Sequence, residues 1–432
     1  MNHKKIKKSS FLRLIGLSSF QVLTMFRRGL FYTYLSIYLR DFLRLSVTET
    51  TLYATLPMIM SVLFQNFVWG PLSDKYQRRR TFIIIGEILA GIGTITVWFI
   101  HHPQSNYRIA GYIIIIGLTF IEIFWSMSNI AWSALISDLY PSIERSKMMG
   151  KLTSIGGLGR IVGITLGGLL YDNGFGFRDG YLFIIASFVM FISTLPMLLT
   201  PEGGIEYLNN STIGESEDKD IIEKNKPKFN HKNVFIIFIV AMVFINFGRN
   251  SISIPYSQYL TLKSGFFVDS IILSFIVNTR SFAVIIIGFT AGFLSRKMGH
   301  AKTLALGVIL AIMSLIITAT AKTLLMIFIG SFLIGASEVI IYASSYAIAS
   351  ILIPEHYRGK LFGAYNATFF LSWGLACTAI SGPIIDFMIS FGTSEINAYK
   401  SAFFVGALLS SSGLVIFIVS ELKLWKKKRK KK

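Results

Sequence analysis

The sequence has few charged residues and a single cysteine. Only 15% of its 432 residues are charged, against about a quarter in soluble domains, which excludes an ordinary soluble protein. Cys377 has no partner for an intramolecular disulfide, and the six histidines fall in predicted loops or tails. No phosphate loop, Ser-His-Asp arrangement or metal-ligand spacing is present. We therefore expect no enzymatic activity, no cofactor and no metal site.

Long apolar runs fill most of the chain. Hydrophobic residues make up 53% of it, and the mean hydropathy is +0.60. Runs of about 20 apolar residues predict transmembrane helices, and the strand alternation of a membrane barrel is absent. Twelve spans are predicted, at about 17–39, 51–70, 81–100, 109–138, 149–171, 180–200, 233–260, 270–293, 302–320, 324–352, 361–389 and 399–421.

The positive charge is distributed unevenly. Of the 42 lysines and arginines, 30 fall in segments on one side of the predicted topology and seven in the opposite loops. This asymmetry predicts that both termini are cytoplasmic, and we expect the cell (plasma) membrane. The basic tail Lys426–Lys432 is typical of a contact with anionic lipids, so the net charge of +20 indicates no nucleic-acid partner. We expect a monomer.

The two halves of the chain repeat each other. The stretch Trp69–Thr81 returns at Ala291–Thr303, and the first predicted helix aligns with the seventh so that Arg28 matches Arg249. Six helices per half give the halves the same orientation, and such parallel repeats place a substrate site near the membrane midplane. The sequence thus predicts an all-α membrane protein with two pseudo-symmetric six-helix bundles, at 1–200 and 233–432, joined by a polar cytoplasmic linker at 201–232.

The repeated loop resembles the signature of the major facilitator superfamily of secondary transporters. The family pattern Gly-x-Leu-Ala/Ser-Asp-Arg/Lys-x-Gly-Arg-Arg/Lys is matched except at Gln77, where the family has glycine. The resemblance covers essentially the whole chain and implies transport by alternating access. It also implies that the acid of this loop closes the cytoplasmic gate; the alternative is a loop that only anchors the topology. The residues assigned to gating are Gly70, Asp74, Lys75, Arg78 and Arg79.

Charged residues inside apolar spans are the main candidates for function. Five arginines lie there, Arg27, Arg28, Arg160, Arg249 and Arg280, against three acids, Glu87, Glu122 and Glu338. A charge at the bilayer centre costs about 2.5–3.5 kcal/mol, so each must face a cavity or a partner. The excess of guanidinium favours an anionic substrate. We expect Arg28 and Arg249 to face each other across a central cavity.

Two readings of these charges remain open. In one, arginines bind the substrate, together with Tyr32 on the face of Arg28, Tyr256 on the face of Arg249, and Arg280. In the other, the arginines pair with Glu122 and Glu338 and hold helices together. The two roles combine if Glu122 or Glu338, once released from its arginine, takes up a proton and couples transport to the proton gradient.

The fifth span carries regularly spaced glycines: Gly150, Gly159, Gly163, Gly167 and Gly168. They resemble the antiporter signature of drug–proton exchangers, with Ile164 in place of its proline. Small residues at this spacing also form a helix-packing face without any functional role.

The leading hypothesis is a secondary transporter for a small organic anion. A proton or another ion is the expected partner that couples to this transport. One alternative is a drug/proton antiporter that exports amphiphilic compounds. An alternative of another class is a non-transporting receptor or scaffold.

Overall fold

The described part of the protein is helical throughout. The computed structural model describes residues 2–140, 142–204, 232–353 and 358–429, and no strand occurs among them. The helices of the first half are α1 (Asn2–Ile37), α2 (Val47–Phe64), α3 (Gly70–Tyr76), α4 (Arg79–His101), α5 (Tyr107–Leu139), α6 (Ser142–Tyr171), α7 (Phe175–Arg178) and α8 (Tyr181–Met197). Those of the second half are α9 (Lys232–Asn250), α10 (Pro255–Thr261), α11 (Ser270–Met298), α12 (His300–Thr320), α13 (Leu324–Leu352), α14 (Arg358–Ala376), α15 (Gly382–Ser390) and α16 (Glu395–Arg429).

The helices account for the twelve predicted spans. Ten helical segments among the described residues are long and apolar enough to cross a membrane. The helix α8 is apolar but shorter, and α1 contains most of the first predicted span. The surface carries many exposed large apolar side chains, among them Phe67, Phe289 and Phe391. Such a surface suits lipid rather than water, and the chain is an integral, multi-pass membrane protein.

The chain divides into two compact units. The first comprises Met1–Leu45 and Leu56–Lys219, and the second comprises Ser46–Thr55 and Asp220–Lys432. The sequence did not predict that Ser46–Thr55 belongs with the second half. The predicted linker lies largely outside the described residues, as do the side chains of the basic tail, so the limits 1–200 and 233–432 stay predictions.

Each unit has its own packing order. In the first, α1 packs along α6, α4 packs along α5, and α8 contacts both α1 and α4. In the second, α9 packs against α14 and α16, while α13 contacts α11 and α12. An apolar cluster fills each unit, around Leu17 and Leu135 in the first and around Met242 and Ile341 in the second.

Side-chain caps set the start of several helices. Asn106, Asp269 and Thr323 accept hydrogen bonds from backbone N–H groups in the first turns of α5, α11 and α13. These residue types favour helix starts because their side-chain oxygens satisfy N–H groups that have no partner within the helix.

The start of α2 has a double cap. Ser46 and Glu49 form a reciprocal capping box, in which the Glu49 N–H donates to Ser46 Oγ at 3.2 Å and the Ser46 N–H to Glu49 Oε2 at 2.8 Å. The next two N–H groups, of Val47 and Thr48, donate to the two carboxylate oxygens of Asp386 at 2.9 and 2.8 Å. A residue of α15 thus holds the first turn of α2 within the second unit.

We expect Asp386→Ala to lower the free energy of unfolding by about 1–2 kcal/mol, because two charge-assisted bonds at a helix N-terminus are lost. The measurement is the apparent melting temperature of the purified chain in detergent. Asp179→Ala, at an exposed acid, is the control. Equal effects of the two substitutions would contradict the capping role.

Candidate substrate site

In the first unit, two consecutive arginines of α1 contact one indole ring of α5. The Cζ atoms of Arg27 and Arg28 lie 4.2 and 4.5 Å from the centroid of the Trp125 ring. A guanidinium over an indole face is attracted by the ring quadrupole, and tryptophan is the strongest such partner. Arg27 is only 2% exposed, whereas Arg28 is partly exposed. The sequence placed Arg28 in the site but not Arg27 or Trp125.

A buried glutamate of α4 holds that indole in place. Glu87 is 1% exposed, and its Oε1 accepts hydrogen bonds from Trp125 Nε1 at 3.0 Å and Ser128 Oγ at 2.9 Å. The neighbouring Gly86 allows the contact, because a Cβ there would lie 2.8 Å from the Phe124 carbonyl oxygen. The sequence identified Glu87 as an intramembrane acid without giving it a role. Its position next to a glycine in an apolar span is the feature that could have pointed to a buried contact with another helix.

The predicted proton-coupling residue of the first half lies beside this cluster. Glu122 is partly buried on α5, one turn before Trp125, and Arg28, Arg27 and Glu87 are close enough to act on it electrostatically. Tyr32, one turn after Arg28 on α1, is close to the same two arginines and to Glu122. The structure therefore brings Arg28, Tyr32 and Glu122 together.

In the second unit, Arg280 and Glu338 form an ion pair. Both Nη2 and Nε of Arg280 donate to Glu338 Oε2, at 2.7 and 3.1 Å. The helices α11 and α13 approach closely here, since a Cβ on Gly335 would lie 2.3 Å from the Arg280 carbonyl oxygen. This geometry matches the alternative in which arginines pair with glutamates and hold helices together.

Arg249 of α9 makes no such pair among the described residues. Its Nε donates to Asn246 Oδ1 at 3.0 Å, and its guanidinium lies 5.7 Å from the Phe369 ring centroid. Arg249 and Arg280 line one small cavity within the unit, with mostly small or apolar neighbours. These include Asn250, Ile252, Ser253, Ala311, Ser314, Leu315, Ile334 and Ser337.

Tyr256 follows a break in the helix. The sequence places it on the face of Arg249, and between the two residues α9 ends at Asn250 and α10 begins at Pro255. Proline lacks a backbone N–H, so a helical hydrogen-bond ladder is not continued through it. Tyr256 is buried, with its ring against Phe403, and does not line the described cavity of Arg249.

The predicted gating loop is largely helical. Gly70, Asp74 and Lys75 lie in α3, Gln77 adopts a left-handed conformation, and α4 begins directly after Arg78. Gly70 is needed for a close approach, because a Cβ there would lie 2.7 Å from the Gln65 carbonyl oxygen. The loop prediction was therefore wrong for most of its length: the helical segment that begins at Val47 continues through the π-helical turn Gln65–Trp69 to Tyr76.

Arg79 is the centre of this segment. Its buried guanidinium donates to Ser73 Oγ at 2.6 Å, to Asp74 Oδ1 at 3.1 Å and to Asp138 Oδ2 at 3.3 Å. Asp74 itself is 76% exposed at its side chain, and Arg78 is exposed. Within the first unit, the structure thus ties α3 and α4 to the end of α5 through one arginine.

The glycines of α6 meet the backbone of α1. A Cβ on Gly159, Gly163 or Gly167 would lie 2.3, 2.0 or 2.6 Å from a carbonyl oxygen of α1. Gly168 is buried on the same helix. Gly150 is exposed and a Cβ there would meet nothing within 4 Å, so its assignment to the packing face was wrong.

One histidine was also misassigned. His101 is fully buried in the last turn of α4, where its Nε2 is 3.3 Å from the Tyr38 hydroxyl. Its neighbour His102 is exposed. No group of three metal-ligating side chains occurs among the residues that the structure describes.

Comparison with known proteins gives a consistent picture. The model of the major facilitator superfamily matches residues 17–377 and 238–432. The chain is 26% identical over 285 residues to Multidrug resistance protein 2 of Bacillus subtilis, covering 63% of this chain and 66% of that protein. It is 30% identical over 118 residues to Efflux pump DEP3 of Alternaria brassicicola, covering 27% of this chain and 20% of that protein. The chain thus matches less than two thirds of either relative.

Solved transporter structures share the fold. A bacterial homologue of the human lysosomal transporter Spinster superposes with a TM-score of 0.73 at 14% identity, covering 94% of this chain and 96% of that one. The nucleoside transporter NupG gives 0.70 at 14%, covering 94% and 98%. The D-xylose-proton symporter gives 0.70 at 13%, covering 95% and 97%. Identities this low show the fold alone.

Proposed function

Because the chain belongs to the major facilitator superfamily, and is therefore a membrane transporter, we propose that it moves small organic anions across the cell membrane. The observation that supports this substrate class is an excess of guanidinium in the spans. Arg27 and Arg28 in the first unit and Arg249 in the second have no ion pair among the described residues, whereas Arg280 has Glu338. A membrane-embedded guanidinium without a direct ion pair favours an anionic ligand.

The proposed substrate contacts are Arg28 and Tyr32 in one unit, and Arg249, Arg280 and Tyr256 in the other. Glu122 and Glu338 are the proposed proton-coupling residues. Glu338 is the simpler case: protonation of its carboxylate would weaken the ion pair and leave Arg280 free to bind an anion. Uptake of the proton and of the anion would then be linked in the same unit.

The segment around Asp74 is the proposed control of cytoplasmic access, with both termini on the cytoplasmic side. Gly70, Lys75, Arg78 and Arg79 share this role in the proposal. Support comes from the signature pattern and from the exposure of the Asp74 carboxylate, which leaves it accessible to other groups during a transport cycle.

Export of amphiphilic compounds in exchange for protons is the second candidate. It is favoured by the names of the two curated relatives, a multidrug resistance protein and an efflux pump. The unpaired arginines weigh against a cationic substrate, because guanidinium repels it in a medium of low dielectric constant.

Thermal stabilisation of the purified chain in detergent tests the proposal. We expect benzoate or phosphate esters to raise the melting temperature, since a ligand that binds only the folded state stabilises it by about 2.7 kcal/mol at a hundred times its dissociation constant. Arg249→Gln should weaken this binding roughly tenfold or more, through loss of a charged hydrogen-bond donor. Lys263→Gln, at an exposed lysine, removes the same charge as a control.

Stabilisation by lipophilic cations alone would reject the anion proposal in favour of drug export. Flux into proteoliposomes under a proton gradient separates both from the scaffold alternative. Absence of flux with every stabilising ligand would support the scaffold.

A further inference from the structure

Arg27 is a buried guanidinium that forms no ion pair with any acid among the described residues. It is 2% exposed, its Nη2 has no hydrogen-bond partner, and the Nε of the adjacent Arg28 has none either. Burying an ion costs several kcal/mol even after relaxation, while a cation–π contact returns about 2 kcal/mol. The Trp125 ring therefore offsets only part of the cost of burying the charge. Nη2 of Arg27 and Nε of Arg28 still require a hydrogen-bond acceptor.

The indole acts as a fixed support for both guanidinium groups. Both Cζ atoms lie within 4.5 Å of its centroid, so a single side chain contacts both cations. The ring cannot turn freely, because its Nε1–H donates to the buried Glu87. Glu87 is in turn occupied by neutral donors, Trp125 and Ser128, rather than by either arginine.

The number of donors indicates the ligand. Each guanidinium carries five N–H donors in a planar fork that matches two oxygen atoms. A carboxylate has two oxygens and satisfies one fork, whereas a tetrahedral oxyanion has three and can bridge two forks. In the second unit fewer guanidinium donors need an anionic ligand, because Arg280 is already paired with Glu338.

We infer that Arg27 and Arg28, supported by Trp125, form an anion subsite within the first unit that binds a tetrahedral oxyanion, such as an organic phosphonate or phosphate group. This inference rests on the proposed function and narrows its substrate class. Arg27 and Arg28 contact the ligand, and Trp125 is a positioning residue held by Glu87.

Three probes with the same ring distinguish the head groups: phenylphosphonate, benzenesulfonate and benzoate. Each is titrated against the full chain in detergent while the melting temperature is followed. We expect the phosphonate and the sulfonate to bind roughly tenfold or more tightly than benzoate. Arg27→Lys keeps the charge but removes the fork, and should weaken phosphonate binding by roughly tenfold to a hundredfold. Lys151→Gln, at an exposed lysine of α6, should bind it as the unaltered chain does.

Tryptophan emission provides a readout that does not depend on the arginine variants folding. Phenylphosphonate should change the emission of the unaltered chain, and Trp125→Phe should lose that change. Equal binding of benzoate and phenylphosphonate, unchanged affinity in Arg27→Lys, or an emission change that persists in Trp125→Phe would each overturn the subsite while leaving an anion transporter in place. Stabilisation by tetraphenylphosphonium and by none of the three anions would overturn the proposed function as well.

Discussion

Replacing Gly163 with leucine is expected to prevent correct folding of the first unit. A Cβ at this position would lie 2.0 Å from the Phe26 carbonyl oxygen, and neither backbone segment can move without separating α1 from α6. Overpacking of side chains alone costs about 1–3 kcal/mol, and a clash between two backbones costs more. We expect most of the variant to be aggregated when it is extracted in detergent and analysed by size-exclusion chromatography.

Gly150→Leu is the matched control on the same helix. No atom lies within 4 Å of a Cβ there, so this variant should elute as the unaltered chain does. The pair separates close packing from helix propensity, because both substitutions replace glycine with the same residue within α6. A monodisperse, folded Gly163→Leu would show that α1 and α6 are not packed as the structure has them.

Removing the side chain of Arg79 is the second substitution for which we expect a large loss of stability. Arg79→Ala leaves the mostly buried carboxylate of Asp138 without its cation, although Asp138 still accepts from the Gly204 N–H at 2.9 Å. Loss of one partner of a buried ion pair costs about 3–5 kcal/mol. For a unit of this size the melting temperature should fall by roughly 6–20 °C.

Arg78→Ala tests the same segment without the buried contacts. Arg78 is exposed and adjacent in sequence, so its loss should change the melting temperature by little. The contrast also bears on the gating proposal. Transport by Arg79→Ala can be measured at a lower temperature, at which the variant stays folded. If it transports normally there, then the network around Arg79 serves folding alone.

Much of the fold could be predicted because its signals are local. Each span is a run of apolar residues, and each segment predicted to be cytoplasmic carries its own lysines and arginines, so neither inference needs distant contacts. The repeat, in which Arg28 aligns with Arg249, is also visible in the sequence without knowledge of any contact. Where the local pattern is broken, helical spacing gives less: Pro255 and the turn before it interrupt the helix between Arg249 and Tyr256.

The sequence by itself determined the all-helical membrane fold, the two similar halves, the family and the set of charges that lie within the spans. The tertiary structure alone decided which of those charges have partners. Arg280 meets Glu338 on a helix 58 residues away, while Arg27 and Arg28 meet the Trp125 ring. Such pairs depend on the rotation and crossing point of each helix. Those are decided by close contacts at glycines such as Gly86 and Gly335, and not by hydrophobic periodicity.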